Sequence, residues 1–204
     1  MPLDQEDHAT KAALAAVRMQ QRLTEITPHL VAKYGSELSM GVGINSGVVS
    51  VGNMGSKRIF EYTVIGDHVN LASRLESLNR LYGTQILCSR ATLEALPEAV
   101  RSKIHYRVLD SVKVKGKKQA VDLIELRVNP IFNQALELFY VARQEMKERK
   151  WDSAIDHFKR SGELYLEHHG AEDVSCSLFI ERINQFKINP PAEGWDGSIE
   201  MKEK

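Results

Sequence analysis

Gly43-Ile44-Asn45-Ser46-Gly47-Val48-Val49, then Gly52-Asn53-Met54-Gly55-Ser56, then Tyr62-Thr63-Val64-Ile65-Gly66-Asp67-His68-Val69-Asn70-Leu71-Ala72-Ser73-Arg74-Leu75-Glu76 is the stretch on which the fold turns. Leu38, Met40, Val42 and Ile44 alternate with small or polar residues, the pattern of a half-buried strand. Val48, Val49 and Val51 carry the β character past Gly47. A turn is expected over residues 53–56, with Gly52 and Gly55 supplying its conformational freedom, and a second strand over residues 59–65. A helix is expected over residues 67–82, with Val69, Leu71, Ala72 and Leu75 on one face and Gly83 closing it.

Working outward, residues 9–26 read as an amphipathic helix through Ala13, Leu14, Val17, Met19, Leu23 and Ile26. Thr27-Pro28 is expected to end it, because the residue before a proline avoids helical geometry, and a short helix over residues 28–34 then stops at Gly35. Downstream lie a short strand over 85–88 and a short helix capped by Ser89 and reaching Leu96. A late hairpin follows over 106–115 and 120–126, joined through Gly116. From Ile131 the pattern is helical. Leu136, Phe139 and Ala142 mark one helix. Trp151, Ala154, Ile155 and Phe158 mark a second, at i, i+3, i+4 and i+7, with Trp151 expected to be buried against the first. Their Trp-x-x-Ala-x-x-x-Phe spacing resembles a tetratricopeptide helix pair, although stable arrays of that repeat need about three copies. A third helix covers 178–186, and the tail from Asn189-Pro190-Pro191 is polar and expected to wind over the surface. The expected organisation is thus residues 1–129, a helical region over 130–188, and a C-terminal tail over 189–204.

The 204 residues are 43% hydrophobic and 26% charged, enough apolar material for a packed core and too much for a disordered chain. Lys plus Arg equal Asp plus Glu at 27 each, and a net charge of zero argues against a nucleic-acid-binding protein. No apolar run approaches the roughly 20 residues of a membrane-spanning helix, so no membrane contact is expected. The acidic start, Asp4-Gln5-Glu6-Asp7, is no secretory signal, and Cys88 and Cys176 form no disulfide framework or zinc spacing. A reducing cytoplasm is the natural setting. The zero charge conceals an asymmetry: residues 1–130 carry a net +4 and residues 131–204 a net −4.

Asn70 and Arg74 are four apart and share one helix face. A guanidinium forks onto phosphate oxygens, and Asn70 is placed to bond a sugar or to hold Arg74. Thr63 ends a strand beside the helix start and offers one hydroxyl. On spacing alone, the favoured reading of these residues is a strand–helix corner with a surface Asn/Arg pair. Lys113, Lys115, Lys117 and Lys118 likewise read as a solvated charged turn. His68 lies near this region as a bystander, and His168-His169 has no partner cluster for a metal site.

The run from Gly43 to Glu76 closely resembles the class III nucleotidyl cyclases, the adenylyl and guanylyl cyclase family, in its bacterial adenylyl cyclase type. Weaker similarity covers residues 3–126. The resemblance implies an α+β fold: a partial ferredoxin-like cyclase domain, followed by the small all-α region. It also implies that the Asn at Asn70 orients the ribose and triphosphate. Arg74 would stabilise charge building on the α-phosphate during 3′-oxygen attack, a preplaced cation meeting developing charge. The residue at Thr63 meets the purine; adenylyl cyclases carry Asp or Thr there and guanylyl cyclases usually Cys, so Thr63 implies ATP. Lys115, in Val114-Lys115-Gly116-Lys117, falls where the family has a lysine that grips the triphosphate.

The family holds two metal ions, Mg or Mn, on two aspartates in a Phe-x-Asp-x-x-Gly-Phe-Thr type motif and in a Gly-Asp motif before Met-Ala. Neither motif occurs, and the only Gly-Asp, Gly66-Asp67, belongs to the Asn/Arg stretch. The adenine-selecting lysine of the family is likewise missing. Residues 2–9 resemble the linker after the second motif, so the chain is expected to begin in mid-domain of a parent that converts ATP to 3′,5′-cyclic AMP and diphosphate. The expectation is that this chain alone binds no cofactor and is inactive. Lost strands leave open edges, which recruit others, so a homodimer, strand-swapped or rearranged, is expected. The parent's own membrane anchor would lie upstream. The alternatives are a degenerate cyclase-like domain that only binds nucleotide, and an interaction module whose working part is the helical tail.

Overall fold

The computed structural model describes residues 5–56, 59–113 and 120–200. They belong to two compact units, Met1–Val108 with Val121–Val128 and Leu109–Ala120 with Asn129–Lys204. The first contains α1 (His8–Tyr34), β1 (Val42–Ile44), β2 (Ser50–Ser56), β3 (Ile59–Ile65), α2 (Asp67–Tyr82), β4 (Ile86–Ser89), α3 (Arg90–Glu94) and α4 (Glu98–Arg101). It also holds the start of β5 (His105–Lys113) and most of β6 (Ala120–Arg127). The architecture is the expected α+β type with a partial sheet core.

The sheet of this unit runs β1-β4-β6-β5. β1 and β4 are parallel, with Val42 opposite Ile86 and Ile44 opposite Cys88, and β4 is antiparallel to β6, with Leu87 opposite Glu125. Ala9, Ala13 and Ala16 of α1 are buried with Ile86, Cys88, Leu93, Leu96, Ile124 and Leu126. Alanines at helical spacing let α1 lie close to the sheet. Gln20 continues that buried stripe, and its amide donates to Met40 O at 2.6 Å and Gln85 O at 3.5 Å. Inside the sheet, Arg107 Nε donates to Glu125 Oε2 at 2.5 Å, and both side chains are buried.

Three elements differ from their sequence expectations. α1 is one helix of 27 residues that contains Pro28 and ends at Gly35, whose φ of 71° is the left-handed C-terminal conformation. Pro28 removes one N–H, the one that would bond Thr24 O, and the helix passes through with that single backbone bond forfeited. β1 is confined to Val42–Ile44, because Met40 O is taken by the Gln20 amide instead of a neighbouring strand. Residues 53–56 are strand, not turn. β2 pairs with β3 from Ser50↔Ile65 through Gly52↔Thr63 to Ser56↔Ile59, as an antiparallel ribbon separate from the main sheet. Its Asn and Gly content is absorbed by that ladder, with Gly55 at φ 144°.

The second unit holds α5 (Asn133–Lys147), α6 (Trp151–His169), α7 (Val174–Ile188), the far end of β5, and β7 (Ile199–Glu200). Its core is aromatic: Phe158 stacks on Phe179 at 5.0 Å, and Phe139 meets both edge-on at 5.6 and 5.7 Å. Asp110 of β5 is fully buried and is bound by Arg182 at 2.7 Å and Arg143 at 3.5 Å. Both guanidiniums lie over the Phe179 ring, at 4.6 and 5.1 Å. As expected, Ala154, Ile155 and Phe158 are buried. Trp151 is instead half-buried, its ring 5.9 Å from Phe186 of α7, which in turn packs edge-on against Trp195. The tail also departs from a simple surface path: β7 pairs in parallel with β5, Val112 opposite Ile199.

Candidate active site

α2 is placed by three glycines. A Cβ on Gly43 would stand 2.2 Å from Ala72 O and 2.3 Å from Glu76 N, so the helix backbone rests directly on β1. A Cβ on Gly41 would meet Glu76, and one on Gly47 would stand 2.3 Å from the His68 ring. Buried Asn79 fixes the same helix from its other end, donating to Val42 O at 3.1 Å while Thr84 Oγ1 donates to its Oδ1 at 2.9 Å. Gly66 leads from β3 into α2 with φ 143°, a conformation open to glycine, and its carbonyl accepts from Val69 N and Asn70 N.

This packing leaves the other side of α2 open. Asn70 is exposed on its first turn, and Arg74, one turn further, is half-buried. Among the described residues neither side chain has a hydrogen-bond or ion-pair partner. Thr63 is half-buried on β3, opposite Gly52 and three residues before the Gly66 hinge into α2. Asn70 and Arg74 therefore lie on the expected helix, and Thr63 on the strand that feeds it. Lys115 lies outside the described residues.

His68, a bystander in the sequence reading, is bonded to Asn45 in the structure. Asn45 Nδ2 donates to His68 O at 3.0 Å and lies 3.1 Å from His68 Nδ1, while Ser89 Oγ donates to Asn45 Oδ1 at 2.6 Å. Ser89 also caps α3, accepting from Thr92 N at 3.3 Å. The signal missed was long-range: the partners of Asn45 lie 23 and 44 residues away.

Among the described residues no group of three His, Cys, Asp or Glu is placed to hold a metal ion. Burial pushes the Cys88 thiol up to about 12, so it is a neutral core side chain. His168 stacks on Phe132 at 3.8 Å.

Residues 2–125 match the family model of the adenylate and guanylate cyclase catalytic domain. The chain belongs to that family. The terminal-differentiation-specific adenylate cyclase of Dictyostelium discoideum is 30% identical over 195 residues, covering 89% of this chain and 8% of that protein. Adenylate cyclase of Anabaena cylindrica is 38% identical over 130 residues, covering 60% of this chain and 25% of that protein. The crystal structure of the guanylyl cyclase Cya2 aligns with a TM-score of 0.52 at 36% identity, over 65% of this chain and 64% of that one. The chain thus spans 8% to 25% of the length of these two relatives. The Dictyostelium match is too long to end at residue 125, so it includes part of the helical unit of this cyclase-family chain.

Proposed function

We propose that this chain supplies the Asn70/Arg74 half of a class III cyclase active site that converts ATP to 3′,5′-cyclic AMP and diphosphate. The observation that carries it is the pair itself: two side chains one turn apart on α2, without partners among the described residues, on a helix whose backbone is pinned to β1 at Gly43. Arg74 brings a permanent positive charge to the α-phosphate as the 3′-oxygen attacks and negative charge builds on the phosphoryl oxygens. Asn70, a donor and an acceptor, orients the ribose and triphosphate. Thr63 Oγ1 meets the purine and favours adenine, and Lys115 adds charge against the triphosphate.

The family's two ions, Mg or Mn, neutralise the triphosphate and activate the 3′-hydroxyl. The described residues do not fit them, and the sequence has neither aspartate motif. The reading therefore assigns the aspartates to a partnering catalytic domain, with the complete site formed between two such domains. A partner surface is at hand on the β2–β3 ribbon, where Tyr62, Val64 and Ile65 are exposed, as is Val48 just before it. No helix among the described residues is long and apolar enough to cross a membrane.

The test is turnover by the purified chain alone, given ATP with Mg or Mn. The expected result is no cyclic AMP above the protein-free blank. Metal-dependent cyclic AMP formation by residues 1–204 would overturn the assignment of the aspartates elsewhere.

A further inference from the structure

α2 must hold Asn70 and Arg74 in place, yet its N-terminus has no side-chain cap: the N-cap residue is Gly66. Its first turn is tied to the rest of the fold through a carbonyl, by a donor from outside the helix. Asn45, just past β1, sends its amide into the first turn of α2, and Ser89, at the end of β4, holds that amide from behind.

The geometry fixes the orientation of each member. A backbone carbonyl only accepts, so the end of Asn45 that faces His68 O at 3.0 Å is its NH2 group. Oδ1 then faces Ser89 Oγ, 2.6 Å away, which donates its hydroxyl proton to it. The second N–H of Asn45 points at His68 Nδ1, 3.1 Å away, so Nδ1 accepts and the imidazole carries its proton on Nε2. Gly47 completes the arrangement, since any Cβ there would enter the His68 ring.

We propose that Asn45, His68 and Ser89 form a clasp that sets the position of the first two turns of α2, with His68 held as its neutral Nε2–H tautomer, and that they are positioning residues for Asn70 and Arg74. Its functional consequence rests on the reading in which that pair meets nucleotide. None of the three touches substrate in this account; they act through the helix.

The test uses the full chain, labelled for NMR. In the native protein the His68 ring nitrogens should give the Nε2–H tautomer pattern, and an Nδ1–H pattern would overturn the proposal. Asn45→Ala and His68→Phe should displace the backbone amide resonances of Val69 to Arg74. His68→Asn sets an amide oxygen where Nδ1 stood and should leave those resonances near their native positions. Equal displacement by the Phe and Asn variants would overturn the proposal, because a role in packing alone does not distinguish an acceptor from a ring. A second arm measures binding of a fluorescent ATP analogue. Asn45→Ala and His68→Phe should weaken it roughly ten- to a hundredfold, the scale of small misplacements in active sites, and His68→Asn should restore it. If the resonances move as described but neither these variants nor Arg74→Ala alters analogue binding, the clasp stands and the nucleotide reading of α2 fails.

Discussion

A single methyl group tests why Gly43 is a glycine. Its ideal Cβ would lie 2.2 Å from Ala72 O, a backbone atom that moves only if α2 lifts off β1. Overpacking of this kind costs about 1–3 kcal/mol, and more where the obstacle is backbone. Gly43→Ala should therefore lower the thermal midpoint by several degrees, read by circular dichroism, whereas Gly52→Ala, whose Cβ meets nothing within 4 Å, should not lower it through contact with a neighbour. Equal midpoints for native and Gly43→Ala proteins would show that α2 is not seated as described. At this scale the sequence was half legible. Asn70 and Arg74 could be paired by eye, because helical spacing of four is local information. Asn45, His68 and Ser89 could not, because nothing local joins residues 23 and 44 positions apart; the fold alone brings them together.

Elements were legible where the signal was periodic and bounded. α2 runs from Asp67 to Tyr82 and stops at Gly83, whose φ of 66° requires little from a residue without a side chain. They were misread where one local rule met a stronger context: Pro28 inside a long helix, and Asn53 and Gly55 inside a paired ribbon. The strap over residues 191–200 was the least legible, since its order comes from distant partners. Trp195 Nε1 donates to Ser198 O at 2.7 Å, Arg149 donates to Ala192 O at 2.7 Å, and Lys113 pairs with Asp196 at 3.0 Å. The Ser198 hydroxyl and backbone N–H, and then Lys113, hold the Asp196 carboxyl well below the usual carboxylate range. A depressed carboxyl contributes stability above its unfolded pKa and loses it as pH falls toward its folded value. The strap should thus loosen progressively below about pH 4, the ordinary aspartate range. Tryptophan emission should shift to the red there, and the shift should be absent in Asp196→Asn, which is loosened already. Identical acid titrations for the two proteins would remove the carboxylate from this role. Asp196 is half exposed, so the effect is local and does not unfold the chain.

At the scale of the whole molecule, composition divides the chain near Pro130, where net charge changes from +4 to −4. Packing adds what composition lacks. Leu109–Ala120 group with the helices, because buried Asp110 is bound by Arg143 and Arg182, 72 residues away in the case of Arg182. β5 therefore contributes residues to both units. Family membership rests on residues 2–125, and the account assigns to them one half of a site that two catalytic domains share. The most direct measurement mixes this chain with a family cyclase that keeps both metal aspartates and has its own Asn/Arg pair replaced by alanine. Cyclic AMP formation from ATP should appear on mixing. It should fall by about 10²–10³ when the added chain carries Arg74→Ala, the range for losing one preplaced charge-stabilising group. No activity on mixing, with mixed dimers shown to form, or equal activity with the Arg74→Ala chain, would contradict the account.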